Sequence, residues 1–289
     1  MLIVLPERSR DMQIATWNVN SVRTRLEQIT DWLKEFHPDV LCLQETKVDD
    51  PFFPHKAFED KGYEVSFHGQ KSYNGVALIS LHEIQDVRLG FHGELEEDDE
   101  VIHLSEQKRI ISGLINGVRI INLYVPNGSA LNTDKYQYKL EWLRCLERYL
   151  RAPEKRGEQL CVLGDFNIAP EDRDIHSPER LTGGIMASNA ERQALQKALG
   201  GGLKDVFRIF EPETNHWSWW DYRSGAWDRD RGWRIDQIYL SEELLNFSKS
   251  CLIHKQVRGN NQPSDHAPVV VDINWPAEES FEEDDYIFN

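Results

Sequence analysis

Apolar positions recur along the chain in two rhythms. Short apolar or alternating runs predict strands at residues 13–17, 40–43, 76–80, 87–91, 109–115, 118–124, 160–163, 235–240, 252–257 and 269–273. Asn116-Gly117 lies between two of these runs and is a hairpin signal, because both residues tolerate the positive φ of a tight turn. Val22, Leu26, Ile29, Leu33 and Phe36 follow one another at steps of three and four, which predicts a helix capped by Ser21 and ending near Phe36, before Pro38. Residues 133–150 and 188–199 also read as helices. Strict strand–helix alternation is absent, so two packed sheets with helices outside are favoured over a doubly wound parallel sheet. No repeat or linker divides the chain. One domain is expected over residues 12–275, with an extension at 1–11 and an acidic tail at 276–289.

The apolar runs end in polar residues of a restricted kind. Asn18 and Asn20 close the first strand at i and i+2, so both amides face the same way. Glu45 closes the second in L-Q-E-T-K. Asp165 and Asn167 close another in G-D-F-N, where Gly164 permits close approach of a neighbouring chain or ligand. Asp236 interrupts R-I-D-Q-I, and Asp265-His266 precede the last strand. Each alone reads as an ordinary turn or cap residue. Together they place more carboxylates at apolar strand ends than a fold buries without partners. Oxygen donors without thiolates suit a hard ion, Mg²⁺ or Mn²⁺. Glu45 and Asp265 are candidate ligands. Asp236 would orient His266, Asp165 would orient or deprotonate a water, and Asn18 and Asn167 would donate to a phosphoryl oxygen. These are the parts of metal-assisted phosphodiester hydrolysis.

Composition narrows the picture. With 289 residues and 40% hydrophobic content, a large core can form and wholesale disorder is excluded. No apolar run is long enough to span a membrane. The apolar stretch at the start is too short for a secretion signal, and a cytoplasmic location is expected. The four cysteines form no C-x-x-C pair and read as small buried hydrophobes. The net charge of −16 argues against a nucleic-acid partner, yet residues 94–100 and the tail from Glu278 to Asp285 carry twelve of the acids. Both segments read as solvated acidic stretches, which leaves room for a local basic face. Trp217, Trp219, Trp220, Tyr222, Trp227 and Trp233 crowd one segment with Arg223, Arg229, Arg231 and Arg234, a mixture that suits base stacking and phosphate contact.

W-N-V-N-S, L-Q-E-T-K, Y-N-G-V-A, N-L-Y-V-P-N-G, G-D-F-N-I-A-P, W-S-W-W-D-Y-R, G-W-R-I-D and S-D-H-A-P-V occur in this order. The series resembles the bacterial exonuclease III and apurinic/apyrimidinic endonuclease family of the endonuclease/exonuclease/phosphatase superfamily. The resemblance runs from about Met12 to Ile273. It implies a DNase I-like four-layered α/β sandwich, two mixed sheets flanked by helices. It implies a Mg²⁺-dependent nuclease, with Mn²⁺ as a substitute, acting as a monomer on double-stranded DNA with abasic sites or 3′ ends. Glu45 would be a metal ligand, and Asn18 and Asp265 would assist metal or phosphate binding. A second ion would draw in Asp165, Asn167 and His266. Asp165 would prepare the water, Asn167 would stabilise the transition state, and Tyr124 would contact the scissile phosphate or the leaving group. His266, held by Asp236, would bind phosphate. Lys47, Tyr73, Asn74, Asn127, Arg223 and Arg234 are the expected DNA contacts, and Trp219, Trp233 and Ile235 the expected walls of a pocket for an abasic sugar. Asn20 is Asp in some relatives, so a ligand role for it stays open. A phosphoesterase of the same superfamily acting on a non-DNA phosphodiester or phosphomonoester, such as a lipid or inositol headgroup, or a non-catalytic nucleic-acid-binding relative, is the alternative.

Overall fold

The computed structural model describes residues 9–96 and 98–276. One sheet holds β1 (Ser9–Asn18), β2 (Val40–Gln44), β3 (Glu64–His68), β4 (Val76–Ser80), β11 (Ser248–Ile253) and β12 (Val269–Pro276), in the order β11-β12-β1-β2-β4-β3. The other holds β5 (Gln85–Leu89), β6 (Ile110–Ile115), β7 (Val118–Tyr124), β8 (Gln159–Asp165), β9 (Leu203–Asp205) and β10 (Asp236–Ser241), in the order β5-β6-β7-β8-β10-β9. Each sheet has one parallel pair, β1 with β2 and β7 with β8, and is otherwise antiparallel.

The period-two alternation of the strands explains the layers. Ile14, Val40, Cys42, Val76 and Leu78 face Ile111, Ile120, Cys161, Leu163 and Ile238 in one core between the sheets. The intervening residues Ala15, Trp17, Leu41, Leu43, Ala77 and Ile79 point outward onto Ile29, Trp32 and Leu33 of the helix Leu26–Phe36. On the far side Ile121, Leu123, Leu160 and Val162 pack on Trp142, Leu143, Leu146 and Tyr149 of the helix Asp134–Lys155. The result is the expected helix–sheet–sheet–helix sandwich.

The strand directions gather polar residues at one edge. The carboxyl ends of β1, β2, β7 and β8 lie there, with the amino end of β10, where Asp236 pairs with Asp165, and the approach to β12. A buried amide link joins the sheets beneath it. Gln44 Nε2 donates to Thr16 Oγ1 (2.9 Å) and to Asn122 Oδ1 (2.7 Å), while Asn122 Nδ2 donates to the carbonyls of Leu43 and Ala77, both at 2.9 Å. Gly164 is required in β8, since a Cβ there would lie 1.9 Å from the Leu123 carbonyl oxygen, at φ +142°.

Several boundaries differ from the sequence reading. The first helix begins at Leu26, not Ser21: Ser21 adopts φ +95°, and its carbonyl accepts from Arg25 N in a preceding turn. The strand expected at 252–257 is β11, and Lys255–Gly259 is a 3-10 turn. The helix expected at 133–150 runs on to Lys155, carrying Pro153 in its last turns. β3 and β9 were not foreseen. Ser9, Arg10 and Asp11, assigned above to an extension, pair with Pro276, Trp275 and Asn274 in the first sheet. The remainder of that extension and the tail from residue 277 lie outside the described residues. The acidic segment at 94–100 is not simply a solvated loop. Asp98 caps the helix Asp99–Ser105, and Glu94 pairs with Arg88 and Arg156. Among the described residues no helix is long and apolar enough to cross a membrane.

Candidate active site

Asn18 is the hub of the polar edge. Its Nδ2 donates to Glu45 Oε1 (2.9 Å) and to Asp165 Oδ2 (2.8 Å), so one amide ties the two sheets together. Its Oδ1 accepts from Asn20 N (3.0 Å). Glu45 leaves β2 at φ +52° and pairs with Lys47 Nζ at 2.6 Å. Burial raises the Glu45 carboxyl, but the Lys47 charge and the bonds from Asn18 and Lys47 outweigh it and hold the group below its ordinary value. Asp165 Oδ1 accepts from Asn167 N (2.9 Å), and Asn167 Nδ2 reaches Asp165 Oδ2 (3.2 Å) and the Val125 carbonyl (3.0 Å).

His266 stands on Asp236. Its Nδ1 lies 2.9 and 3.1 Å from the two carboxylate oxygens, and Nε2 lies 3.8 Å from Asp165 Oδ2. Asp236 is fully buried. It also accepts from Ser218 Oγ (2.7 Å), which itself accepts from the backbone N–H groups of Ile235 and Asp236. Burial opposes the imidazolium, yet the charges of Asp236 and Asp165 raise the ring well above its ordinary range. Burial raises the Asp165 carboxyl as well; His266 opposes this rise and Asp236 adds to it. Tyr124 is pushed up by burial and by the Glu45 charge, so its phenol stays protonated, with Arg109 lying over the ring at 4.6 Å.

Glu45, Asp165 and His266 bring one ligand atom each within 4.8 Å of one another. The carboxylate oxygens of Glu45 and Asp165 fit a divalent cation, and the charged His266 beside them fits an anionic phosphate; the ring could ligate a cation only in its neutral form. The other sequence candidates are turned to neighbours. Asp265 gives one oxygen to Asn20 Nδ2 (3.0 Å) and the other to Trp219 Nε1 (2.9 Å). Burial would raise that carboxyl, but His266 and these two bonds hold it down. Asn167 Oδ1 accepts from Asn127 Nδ2 (2.9 Å).

Residues 15–266 match the endonuclease/exonuclease/phosphatase family. The chain belongs to this family. It is 34% identical over 266 residues to the exodeoxyribonuclease III of Haemophilus influenzae, covering 89% of this chain and 98% of the relative. Its fold is similar to a solved 3′–5′ exonuclease from Neisseria meningitidis, at 40% identity and TM-score 0.86, and to an AP endonuclease from Archaeoglobus fulgidus, at 39% and 0.85. Each alignment covers 91% of this chain and 100% of the solved one.

Around this family site the expected DNA contacts separate into two groups. Tyr73 is 69% exposed, Arg223 is exposed beside Asp221, and Asn74 and Asn127 are on loops at the same edge. Lys47 is held between Glu45 and Asn20. Trp219 is half-buried, with its ring centroid 6.4 Å from that of His266, and it bridges to Trp233. Arg234 and Ile235 require correction. Arg234 is 1% exposed and its guanidinium is taken by Asp174 (2.6 Å) and Asp205 (2.7 Å), so it braces the fold and does not face solvent. Ile235 is also buried, packed with Ala169, Ile175, Met186 and Trp233 under Trp219, so it does not form an open wall. Trp217 and Trp220 belong to the core against the first helix.

Sequence reasoning missed Ser218, Arg109 and Lys139. A legible signal existed for Lys139, which falls on the apolar face of its helix in step with Trp142, Leu143 and Leu146.

Proposed function

We propose that the protein is a Mg²⁺-dependent DNA-repair nuclease of the exonuclease III type. It incises 5′ to abasic sites and removes nucleotides from 3′ ends of duplex DNA. The observation that carries this reading is the convergence of Glu45, Asp165 and His266, with Asp236 behind the histidine. The names of the relatives support the substrate class. The catalytic domain spans residues 9–276 and acts as a monomer, and four buried free cysteines suit a reducing cytoplasm.

The metal would be held by Glu45, which Asn18 positions, and when bound it would supply Lewis-acid polarisation of the phosphoryl oxygen, leaving Asp165 and the charged His266 for proton transfer and phosphate binding. The chain's own groups account for the rest. Asp165, raised toward the range of a working base, accepts the proton of the attacking water. Asn167 exchanges its longer amide bond, the 3.2 Å one to Asp165, for the charge that grows on phosphorus-bound oxygen. The His266 imidazolium, kept charged by Asp236, pairs with the phosphate. Tyr124 directs its phenolic proton at the leaving oxygen. Tyr73, Asn74, Asn127 and Arg223 line the DNA approach, and Trp219 with Trp233 shapes the space for a sugar without a base.

The test is a duplex carrying one tetrahydrofuran abasic mimic, incubated with Mg²⁺ or with EDTA and resolved on a sequencing gel. A single cut 5′ to the mimic, abolished by EDTA, is expected. Hydrolysis of inositol phosphates with the duplex left intact would overturn the reading.

A further inference from the structure

We infer that Lys139 is a positioning residue for the reaction, acting through the backbones of Asn127 and Asn167; this rests on the nuclease reading above. The helix Asp134–Lys155 is capped by Thr133 and turns its apolar face to the second sheet. Lys139 sits on that face and is fully buried. Its ammonium has three donors, and each has a partner: the Asn167 carbonyl at 2.7 Å, the Asn127 carbonyl at 3.2 Å and Glu191 Oε1 at 2.6 Å.

Glu191 is fully buried too. It closes a capping box with Ser188 at the start of the helix Asn189–Leu199, and it also accepts from Met186 N (3.1 Å) and from Ser188 N (3.0 Å). A buried ion pair adds little to stability over apolar residues of the same volume, so its use here calls for another explanation. The two carbonyls supply one. They belong to the loops that follow β7 and β8, and the side-chain amides of the same two residues meet at 2.9 Å beside Asp165. Asn167 also stands at φ +50°, a left-handed turn conformation that asparagine tolerates and that aims its backbone groups at two different partners. The two peptides that flank its Cα are both gripped, one at the Asn167 N–H by Asp165 and the next at the Asn167 C=O by Lys139. Lys139 thus bolts the outer helix to both loops and fixes the direction in which the Asn167 amide points. With no exposed surface it makes no contact with DNA itself, so its loss acts on turnover through Asn167 and reaches binding only through the single contact at Asn127.

The test compares Lys139→Met with the double variant Lys139→Met/Glu191→Gln, which removes the charge stranded in the single one. Both should turn over the abasic duplex about 10–100-fold more slowly, the usual consequence of misplacing a reacting group by about an ångström. KM should stay within about threefold of the parent. The double variant should regain the melting temperature lost by the single one without regaining kcat. Recovery of kcat along with melting temperature, or collapse of both variants, would make the pair purely structural and overturn the inference. The side-chain amide NMR signals of Asn127 and Asn167 give a readout free of activity. They should shift and broaden in the double variant, and unmoved signals would also overturn it. A parent protein that leaves the abasic duplex uncut would instead refute the nuclease reading, with the NMR comparison still deciding the role of Lys139.

Discussion

Replacing Asp236 with Asn tests how the histidine is used. The carboxylate lies 2.9 Å from His266 Nδ1, fully buried, and takes the Ser218 hydroxyl proton at 2.7 Å. Ser218 Oγ already accepts two backbone N–H groups, so its proton must keep an acceptor. The Asn oxygen therefore stays on the Ser218 side, where it remains 2.9 Å from Nδ1, and its NH₂ takes the place of the oxygen at 3.1 Å. Nδ1 keeps one neutral acceptor and loses the second, and the charge that favoured the imidazolium is gone. For unit charges about 3 Å apart at an effective dielectric of about 20, the loss is about 6 kcal/mol. That corresponds to a fall of about four pKa units for the ring. The parent ring is raised in the folded protein, so it stays charged well above neutral pH. In the variant it deprotonates on the acid side. The assay is the pH dependence of kcat for abasic-site incision at saturating Mg²⁺. At neutral pH kcat should fall by about 10²–10⁴-fold, the worth of a positioned acid–base group. The alkaline limb should move to lower pH, with duplex binding less affected than turnover. An unmoved alkaline limb with undiminished kcat would refute the charged-histidine reasoning.

Glu45→Ala removes a ligand and should raise the Mg²⁺ concentration for half-maximal activity by at least the about 10–100-fold that loss of an outer-shell partner costs a metal site; full activity in trace metal would contradict the assignment. Trp219→Ala should reduce abasic-site incision more than release of paired 3′ nucleotides, and equal losses with a lower melting temperature would make the ring structural. Burial pushes the His68 imidazole down to about 4, with Lys108 and His92 acting the same way. Because the folded value is depressed, its contribution is complete above about 6.5 and is lost as pH falls through about 4, an effect of about 3 kcal/mol. His68→Asn should flatten thermal stability across that window, which melts at several pH values would reveal; an acid-side loss equal to the parent's would contradict it.

The site was legible because its residues interrupt apolar strands, where a carboxylate or amide has no structural reason to stand. Asn18, Glu45, Asp165 and His266 came from that signal, and the structure brings them together. What failed depended on partners distant in the chain. Arg234 sits among exposed arginines and tryptophans in sequence, and only the fold reveals Asp174 and Asp205 beside it. Ser21 has the chemistry of a cap, but the adjoining turn is drawn toward the loop after β2, where Ser21 N donates to the Glu45 carbonyl at 2.8 Å. β3 was overlooked because most of its residues are only partly buried and its ladder exists through β4. The pairing of β1 with β12, which joins the two ends of the fold, leaves no local trace.

The central claim is that Glu45, beside Asp165 and the charged His266, holds a divalent cation at the place where DNA is cut. It is tested most directly by a crystal of the full chain grown with Mn²⁺ and measured for anomalous scattering at the manganese edge. The account predicts a peak within coordination distance of Glu45, absent from the Glu45→Ala variant. A peak elsewhere on the chain, with this cluster empty in a preparation that cuts DNA, would contradict it.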